Sequence, residues 1–398
     1  MTPSLSVTII NEETTLSYCN EMVKQVMKRV LMISNNRTRE IGGGPEKEAN
    51  KELLRERGWE VEIGYVSEPS ISGILKEIPK LARRARSNDI DLMVTHCSPP
   101  ELHALGYILK KITGEPWLAE FRDPLATNVH VDTGSSSHFQ RRILEKCVVS
   151  SANQVAWWNG IQMNDNYFYE SYPNMPESKF YKIPYLGFGG VEVEKFNSGS
   201  PKQYDKFTIT YAGSFYEGWI EPYEFLEGLS EYVDRHGGGD IQVQFYGDWK
   251  EDYQQKVRKE NLEDIVTTYD PVPHDEIIRI LKGSDLLLYV GGNDQRNKHN
   301  ISLKMADYVA AESPILGVID RSFRAGRFIE KENIGIAAHP READSIADAI
   351  REVSTCTFEY DADGRLKDRF DSQEAMAEYA AILNAVSTGE RHVPKKSI

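Results

Sequence analysis

Twice along its length the chain runs a short apolar segment into a loop of glycine, serine or charged residues, and then into a stretch of helical periodicity. In the first half these segments are Arg29–Ser34, Trp59–Gly64, Asp91–Thr95 and Pro116–Phe121, separated by helical patterns over about 45–57, 72–86 and 100–112. Short apolar runs alternating with helices are the signature of βαβ units and a parallel sheet. The pattern stops at Asn197–Gln203, a polar stretch without periodicity, and restarts with Phe207–Tyr211, Ile241–Tyr246, Asp285–Val290, Ile315–Val318 and Gly335–Ala338. The expected fold is therefore α/β, with two Rossmann-like, doubly wound parallel-sheet domains facing a central cleft. A length of 398 residues suits that division, since domains hold on the order of 100–200 residues each. The expected boundaries are an N-terminal extension over 1–28, a first domain over 29–200 and a second over 201–372. A closing segment follows over 373–398, whose helix is expected to pack back on the first domain.

Charge narrows what such a pair of domains would bind. The chain carries 61 acidic and 47 basic residues, a formal charge of −14, which argues against a nucleic-acid partner because counterion release needs a surplus of Lys and Arg. The imbalance lies almost wholly in the second half. Cys19, Cys97, Cys147 and Cys356 stand in no metal-binding or disulfide-framework spacing, so no metal is expected and a reducing, cytoplasmic setting fits. No apolar run reaches the roughly 20 residues of a membrane span, and residues 1–28 lack the basic start and apolar centre of a signal peptide.

Ligands of parallel sheets bind beyond the carboxyl ends of the strands, so the loops there hold the candidate residues. Gly42, Gly43 and Gly44 follow the first strand, where backbone N–H groups would approach a phosphate, or where the chain simply turns. The triplet is not GxGxxG and no acid follows the second strand in the right place, which disfavours NAD. His96 and His103 follow the strand at 91–95, each either lining the cleft or serving the core. Glu120, Arg122 and Asp123 cluster at the next strand exit, and three ionisable groups there are costly to desolvate without purpose. The richest loop runs from Gly291 to Tyr308 and brings Arg296, Lys298 and Lys304 into the acidic half, with Asp307 one turn beyond Lys304.

Several of these segments together resemble a known pattern: His96-Cys-Ser-Pro-Pro100, Thr113-Gly-Glu-Pro-Trp-Leu-Ala-Glu-Phe-Arg-Asp-Pro124, Ile183-Pro184, Tyr211-Ala-Gly-Ser214 and Lys304-Met-Ala-Asp-Tyr-Val-Ala-Ala-Glu-Ser-Pro-Ile-Leu316. Their order and spacing are similar to those of the retaining nucleotide-sugar glycosyltransferases of family 4, which have the GT-B fold. The resemblance implies a nucleotide-diphosphate sugar held by the second domain, a hydroxyl acceptor held by the first, and no required cofactor or metal. It implies that Gly43, Gly44, Gly213 and Ser214 face the donor, that the segment with Val272 and His274 meets the base, and that Asp307 binds the ribose. Arg296, Lys298 and Lys304 would hold the phosphates, and Ser302 belongs to the same donor-binding set. The family's acidic pair departs here, with His299 at the first position and the shorter Asp307 at the second. The implied chemistry is front-side attack by the acceptor hydroxyl, with the leaving diphosphate as base, Arg122 orienting phosphate or sugar and Lys304 neutralising the leaving group. His96 and Asp123 complete the expected catalytic set.

Two other readings remain open on the sequence. A sugar-nucleotide epimerase or hydrolase of the same fold would use His96, Glu120 and Asp123 as acid and base, and a non-catalytic partner subunit would explain His299. The helix over 71–86 sets Ile71, Ile74, Leu75, Ile78 and Leu81 against Lys76, Lys80, Arg83, Arg84 and Arg86, either a core-packing helix with a solvated face or a peripheral membrane contact.

Overall fold

The computed structural model describes residues 27–35, 47–68, 70–87, 89–97, 99–128, 131–160, 163–186 and 190–390. Gly42, Gly43 and Gly44 lie outside the described residues, as do Cys19 and the extension up to residue 26. The first domain is built from β1 (Lys28–Asn35), α1 (Glu48–Glu56), β2 (Trp59–Val66), α2 (Ile71–Ala85), β3 (Leu92–Cys97), α3 (Glu101–Thr113), β4 (Trp117–Phe121), α4 (Ser136–Ser151), β5 (Gln154–Asn159), α5 (Tyr167–Ser171) and β6 (Phe180–Leu186). The chain continues through α6 (Val193–Ser198), β7 (Phe207–Ala212), α7 (Tyr223–His236), β8 (Ile241–Tyr246), α8 (Glu251–Lys259), β9 (Val266–Tyr269), α9 (His274–Gly283) and β10 (Leu286–Gly292). It ends with α10 (Lys304–Ala311), β11 (Ile315–Ile319), α11 (Arg324–Lys331), β12 (Gly335–Ala338), α12 (Ala343–Ser354) and α13 (Ser372–Thr388).

Both sheets have six parallel strands, in the orders β2-β1-β3-β4-β5-β6 and β12-β11-β10-β7-β8-β9. Helices cover both faces, which is why the central strands read as unbroken apolar runs and not as alternation. In β3, β4 and β10 every residue is buried. Strands β5, β6 and β9 escape the sequence pattern, and β6 and β9 lie at sheet edges. There Lys182 and Pro184 are tolerated in β6, since an edge strand does not need every ladder N–H, and β9 leaves Tyr269 exposed.

Strand order reverses between β1 and β3 in the first sheet and between β7 and β10 in the second. A crevice opens at each such switch point outside the carboxyl ends of the strands. The fold thus selects one location in each domain before any side chain is considered.

Helix α13 buries Met376, Tyr379, Ile382 and Leu383 in the core of the first sheet. Phe196 of α6 packs into the core of the second, so packing on the second sheet begins before residue 200. The domains also meet directly, through the Ile301 N–H donating to the Gly160 carbonyl at 2.8 Å and through Arg324 against Asp165 at 2.7 Å. No helix among the described residues is long and apolar enough to cross a membrane.

Candidate active site

At the switch point of the second domain, β7 ends at Tyr211 and Ala212, and the chain then turns through Gly213 with φ of 130°. A Cβ at Gly213 would lie 3.0 Å from the Lys304 Nζ, and one at Gly247 would lie 2.3 Å from the Gly213 carbonyl oxygen. Glycine at both positions lets two strand exits close around the lysine. The Lys304 ammonium donates to the Tyr211 hydroxyl at 2.6 Å and stands 3.9 Å above the Tyr211 ring centroid. That hydroxyl in turn donates to the Ser214 carbonyl at 2.8 Å.

Lys304 has no carboxylate among these contacts. Burial lowers its pKa to about 7, because a charge taken out of water without a counterion is disfavoured. Behind it, Tyr308 joins the two strands of the switch point: its hydroxyl accepts the Ala212 N–H at 3.1 Å and donates to the Leu288 carbonyl at 3.0 Å. The Tyr289 hydroxyl accepts the Ser302 N–H at 3.2 Å and fixes the approach to α10. Tyr211, Tyr289 and Tyr308 support the site without having stood out in the sequence, since a tyrosine within an apolar run reads as core.

One turn beyond Lys304, the Asp307 Oδ1 lies 3.2 Å from the His274 Nε2. The hydrogen bond to Asp307 raises the His274 pKa. Val272, two residues ahead, is partly buried beside the start of α9. The structure therefore joins two positions that the sequence reading assigned to base and ribose separately.

The other residues of the 291–308 loop have different surroundings. Arg296 pairs with Asp294 at 2.7 Å and lies 4.8 Å over the Trp219 ring, so its charge is already countered. Lys298 is exposed. Burial, then the neighbouring cations Lys298, Arg324 and Arg327, lower the pKa of His299, which favours the neutral imidazole. The Ser214 hydroxyl donates to Asp248 at 2.9 Å.

Arg324 was not singled out in the sequence, although it opens a helix after the β11 exit. Its N–H donates to the Lys298 carbonyl at 2.9 Å and its guanidinium to the His299 carbonyl at 3.5 Å. The same guanidinium reaches Asn159 and Asp165 of the first domain. Arg324, Asn159 and Asp165 border an interdomain cavity of about 620 Å³ that also meets Lys182 and Phe328.

In the first domain, His96 and Glu120 are register partners on β3 and β4. Glu120 is wholly buried and accepts from the Tyr379 hydroxyl at 2.6 Å and the Trp158 indole at 3.0 Å. The His96 Nδ1 lies 3.1 Å from it and the Arg122 Nε 3.5 Å. Burial alone would raise this carboxyl, but His96, Arg122 and the Tyr379 hydrogen bond together hold it below the usual carboxylate range. His96 is thus placed under the cleft floor, while Arg122 and Asp123 keep partial exposure at the strand exit. His103 serves the opposite face of the sheet, with its Nδ1 2.7 Å from the Thr95 hydroxyl and its pKa lowered to about 3 by burial. Glu145 fixes the chain beyond Asp123, accepting the N–H groups of Leu125 and Ala126 at 3.2 Å each. No group of His, Cys, Asp or Glu suited to a metal ion occurs among the described residues.

No protein-family model matches the chain, and no curated protein matches it in sequence. Its fold is nonetheless that of solved GT-B structures. Sucrose-phosphate synthase from Thermosynechococcus elongatus superimposes with a TM-score of 0.65 at 13% identity, over 91% of this chain and 100% of that one. The lipopolysaccharide outer core galactosyltransferase WaaB gives 0.61 at 12% identity, over 91% and 99%. A protein assigned as a UDP-N-acetylglucosamine 2-epimerase from Listeria monocytogenes gives 0.58 at 11% identity, over 92% and 99%. Other neighbours were solved with UDP or UDP-glucose bound. At these identities the likeness is one of fold: two Rossmann-like domains with six-stranded parallel sheets, arranged as in GT-B glycosyltransferases.

Proposed function

We propose that the protein is a retaining, metal-independent glycosyltransferase that moves a sugar from a nucleotide-diphosphate donor to a hydroxyl acceptor. The observation that carries this reading is the Lys304 amine at the switch point of the second sheet, bonded to Tyr211, beside Gly213 and one turn from Asp307. A diphosphate at the amino end of α10 meets N–H groups left over by the helix and a cation in a low-dielectric pocket, where charge is stabilised most strongly. The diphosphate also supplies the counterion that Lys304 lacks, so binding favours the charged amine.

In this reading Asp307 holds ribose hydroxyls, oriented by His274, and the base lies near Val272. Gly213, Ser214 and the peptide groups around Ser302 approach the phosphates, and Gly43 and Gly44 do so from the first domain. The acceptor hydroxyl attacks the anomeric carbon from the side of the leaving group, which takes the hydroxyl proton as the C–O bond to the diphosphate breaks. Arg122 orients the donor sugar or phosphate, Asp123 lies beside it, and His96 acts from beneath by fixing Glu120 and hence Arg122. Arg296, Lys298 and His299 complete the rim.

The test is incubation with a panel of nucleotide-diphosphate sugars, with and without sugar and lipid-linked acceptors, read by NMR at the anomeric centre. Release of nucleoside diphosphate only when an acceptor is present, with retained configuration, is the expected result. Inverted product contradicts the stereochemical part. Conversion of the donor without any acceptor assigns the site to an epimerase or hydrolase instead.

A further inference from the structure

Once the core contacts of α2 are satisfied, part of its apolar set remains unused. Ile74 and Leu81 are buried and Ile78 packs partly against the core, but Ile71 and Leu75 are exposed at 74% and 55%. On α4, Phe139 and Ile143 are exposed at 57% and 66%, one turn apart. Among the described residues, every exposed isoleucine and phenylalanine lies on α2, α3 or α4. Large apolar side chains concentrated in one helical layer mark an interaction surface, whereas scattered ones need no explanation.

The three helices form one layer, with α3 packed between α2 and α4. Each follows a strand of the parallel sheet, so each begins at the carboxyl end, beside the cleft. Ile71 and Leu75 in the first two turns of α2 and Phe139 in the first turn of α4 thus lie toward that end of the layer, and Ile143 follows midway along α4. Adjacent helices pack about 10 Å apart, which separates the two pairs by about 20 Å. Ala104 and Tyr107 of α3, both partly exposed, fill the space between.

The surrounding charge identifies the occupant. The three helices carry nine Lys and Arg residues against three Glu, and one of those, Glu145, is buried. This excess occurs in a chain whose formal charge is −14. On α4 the exposed Arg142 and Lys146 alternate with Phe139 and Ile143 along one stripe, and Lys76, Lys80 and Arg83 flank Leu75 on α2. Apolar side chains interleaved with exposed cations fit the interface of an anionic bilayer, where the former enter the acyl boundary and the latter meet headgroups.

We infer that the outer face of α2, α3 and α4 docks the protein on an anionic lipid surface, with the mouth of the cleft toward the membrane. The inference does not depend on the reaction assigned to the cleft. Its test is co-sedimentation of the full chain with phosphatidylcholine vesicles, with and without phosphatidylglycerol, at low and high salt. The comparison set is the wild type, a Phe139→Ser/Ile143→Ser double variant and an Arg142→Glu/Lys146→Glu double variant. All of these positions are exposed, so circular dichroism melts should coincide.

The expected result is binding to the phosphatidylglycerol vesicles only, weakened about tenfold or more by either double variant and by salt. Absence of binding, or binding indifferent to both variants, overturns the inference. A concentration-dependent dimer in sedimentation velocity that the serine variant abolishes, without vesicle binding, would assign the face to a second copy and also overturn it.

Discussion

Lys304 bonds a phenol, whereas Arg296 and Arg324 near the cleft pair with the carboxylates of Asp294 and Asp165. Its charge state is therefore open to a ligand. The folded-state pKa is about 7, against about 10.4 in an unfolded chain, so between those values the unfolded state binds more protons. Stability from this group must rise with pH across that window and be least below about pH 7. A diphosphate bound beside the amine would reverse the shift. Near pH 8, nucleoside diphosphate binding should take up a proton, visible as a calorimetric heat that varies with the ionisation enthalpy of the buffer, and Lys304→Gln should remove that dependence. His274 has the opposite sign. Its pKa is raised by Asp307, so the stability contributed by the pair is present below about pH 6.5 and is lost as pH rises through the folded value. Asp307→Asn should lower the midpoint of the His274 imidazole titration followed by NMR, and an unchanged midpoint would mean that the contact does not persist in solution. In the sequence, Lys304 and Asp307 were legible through their spacing, while the neutralisation of Arg296 by Asp294 was not. A pair two residues apart can meet only when the loop folds back, and the 3-10 turn that does this depends on Asn297 bonding the Gly291 carbonyl.

At the scale of elements, the helix over 373–386 was readable from its apolar spacing, but what anchors it was not. The Tyr379 hydroxyl bonds a carboxylate 259 positions earlier, and no local pattern encodes such a pairing. Glu120 likewise reads as a strand-exit acid in the sequence, whereas register with His96 and the indole of Trp158 place it in a closed polar cluster. Loss of one hydrogen bond to a buried carboxylate costs about 1.5–3 kcal/mol. Tyr379→Phe should therefore lower the urea midpoint by a matching amount without changing the slope. A change below about 0.5 kcal/mol would show that the cluster does not hold α13 in place. Strands β5 and β6, unread like β9, have a related cause. Their apolar runs carry paired tryptophans in one and Lys182 with Pro184 in the other, and the position of β6 at the sheet edge makes the proline acceptable.

For the molecule as a whole, the alternation of strands and helices encoded both sheets, and the two reversals of strand order follow from the connectivity. What the sequence left unstated is how the domains communicate. Arg324 binds the carbonyls of Lys298 and His299 on one side and Asn159 and Asp165 on the other, so the loop ahead of α10 is tied to the first domain. The charge asymmetry also takes on spatial meaning: within the acidic second half the Lys304 amine bonds a phenol, and the near-neutral first half carries a basic helical face. In the proposed function the Lys304 pocket binds the diphosphate of a nucleotide sugar. Isothermal titration of nucleoside diphosphates into the wild type and into a cooperatively melting Lys304→Met variant tests it most directly. The account predicts one-site binding by at least one nucleoside diphosphate, weakened about tenfold or more in the variant, as expected for a charge-assisted contact. Equal affinity in both proteins, or no binding by any nucleoside diphosphate, would contradict it.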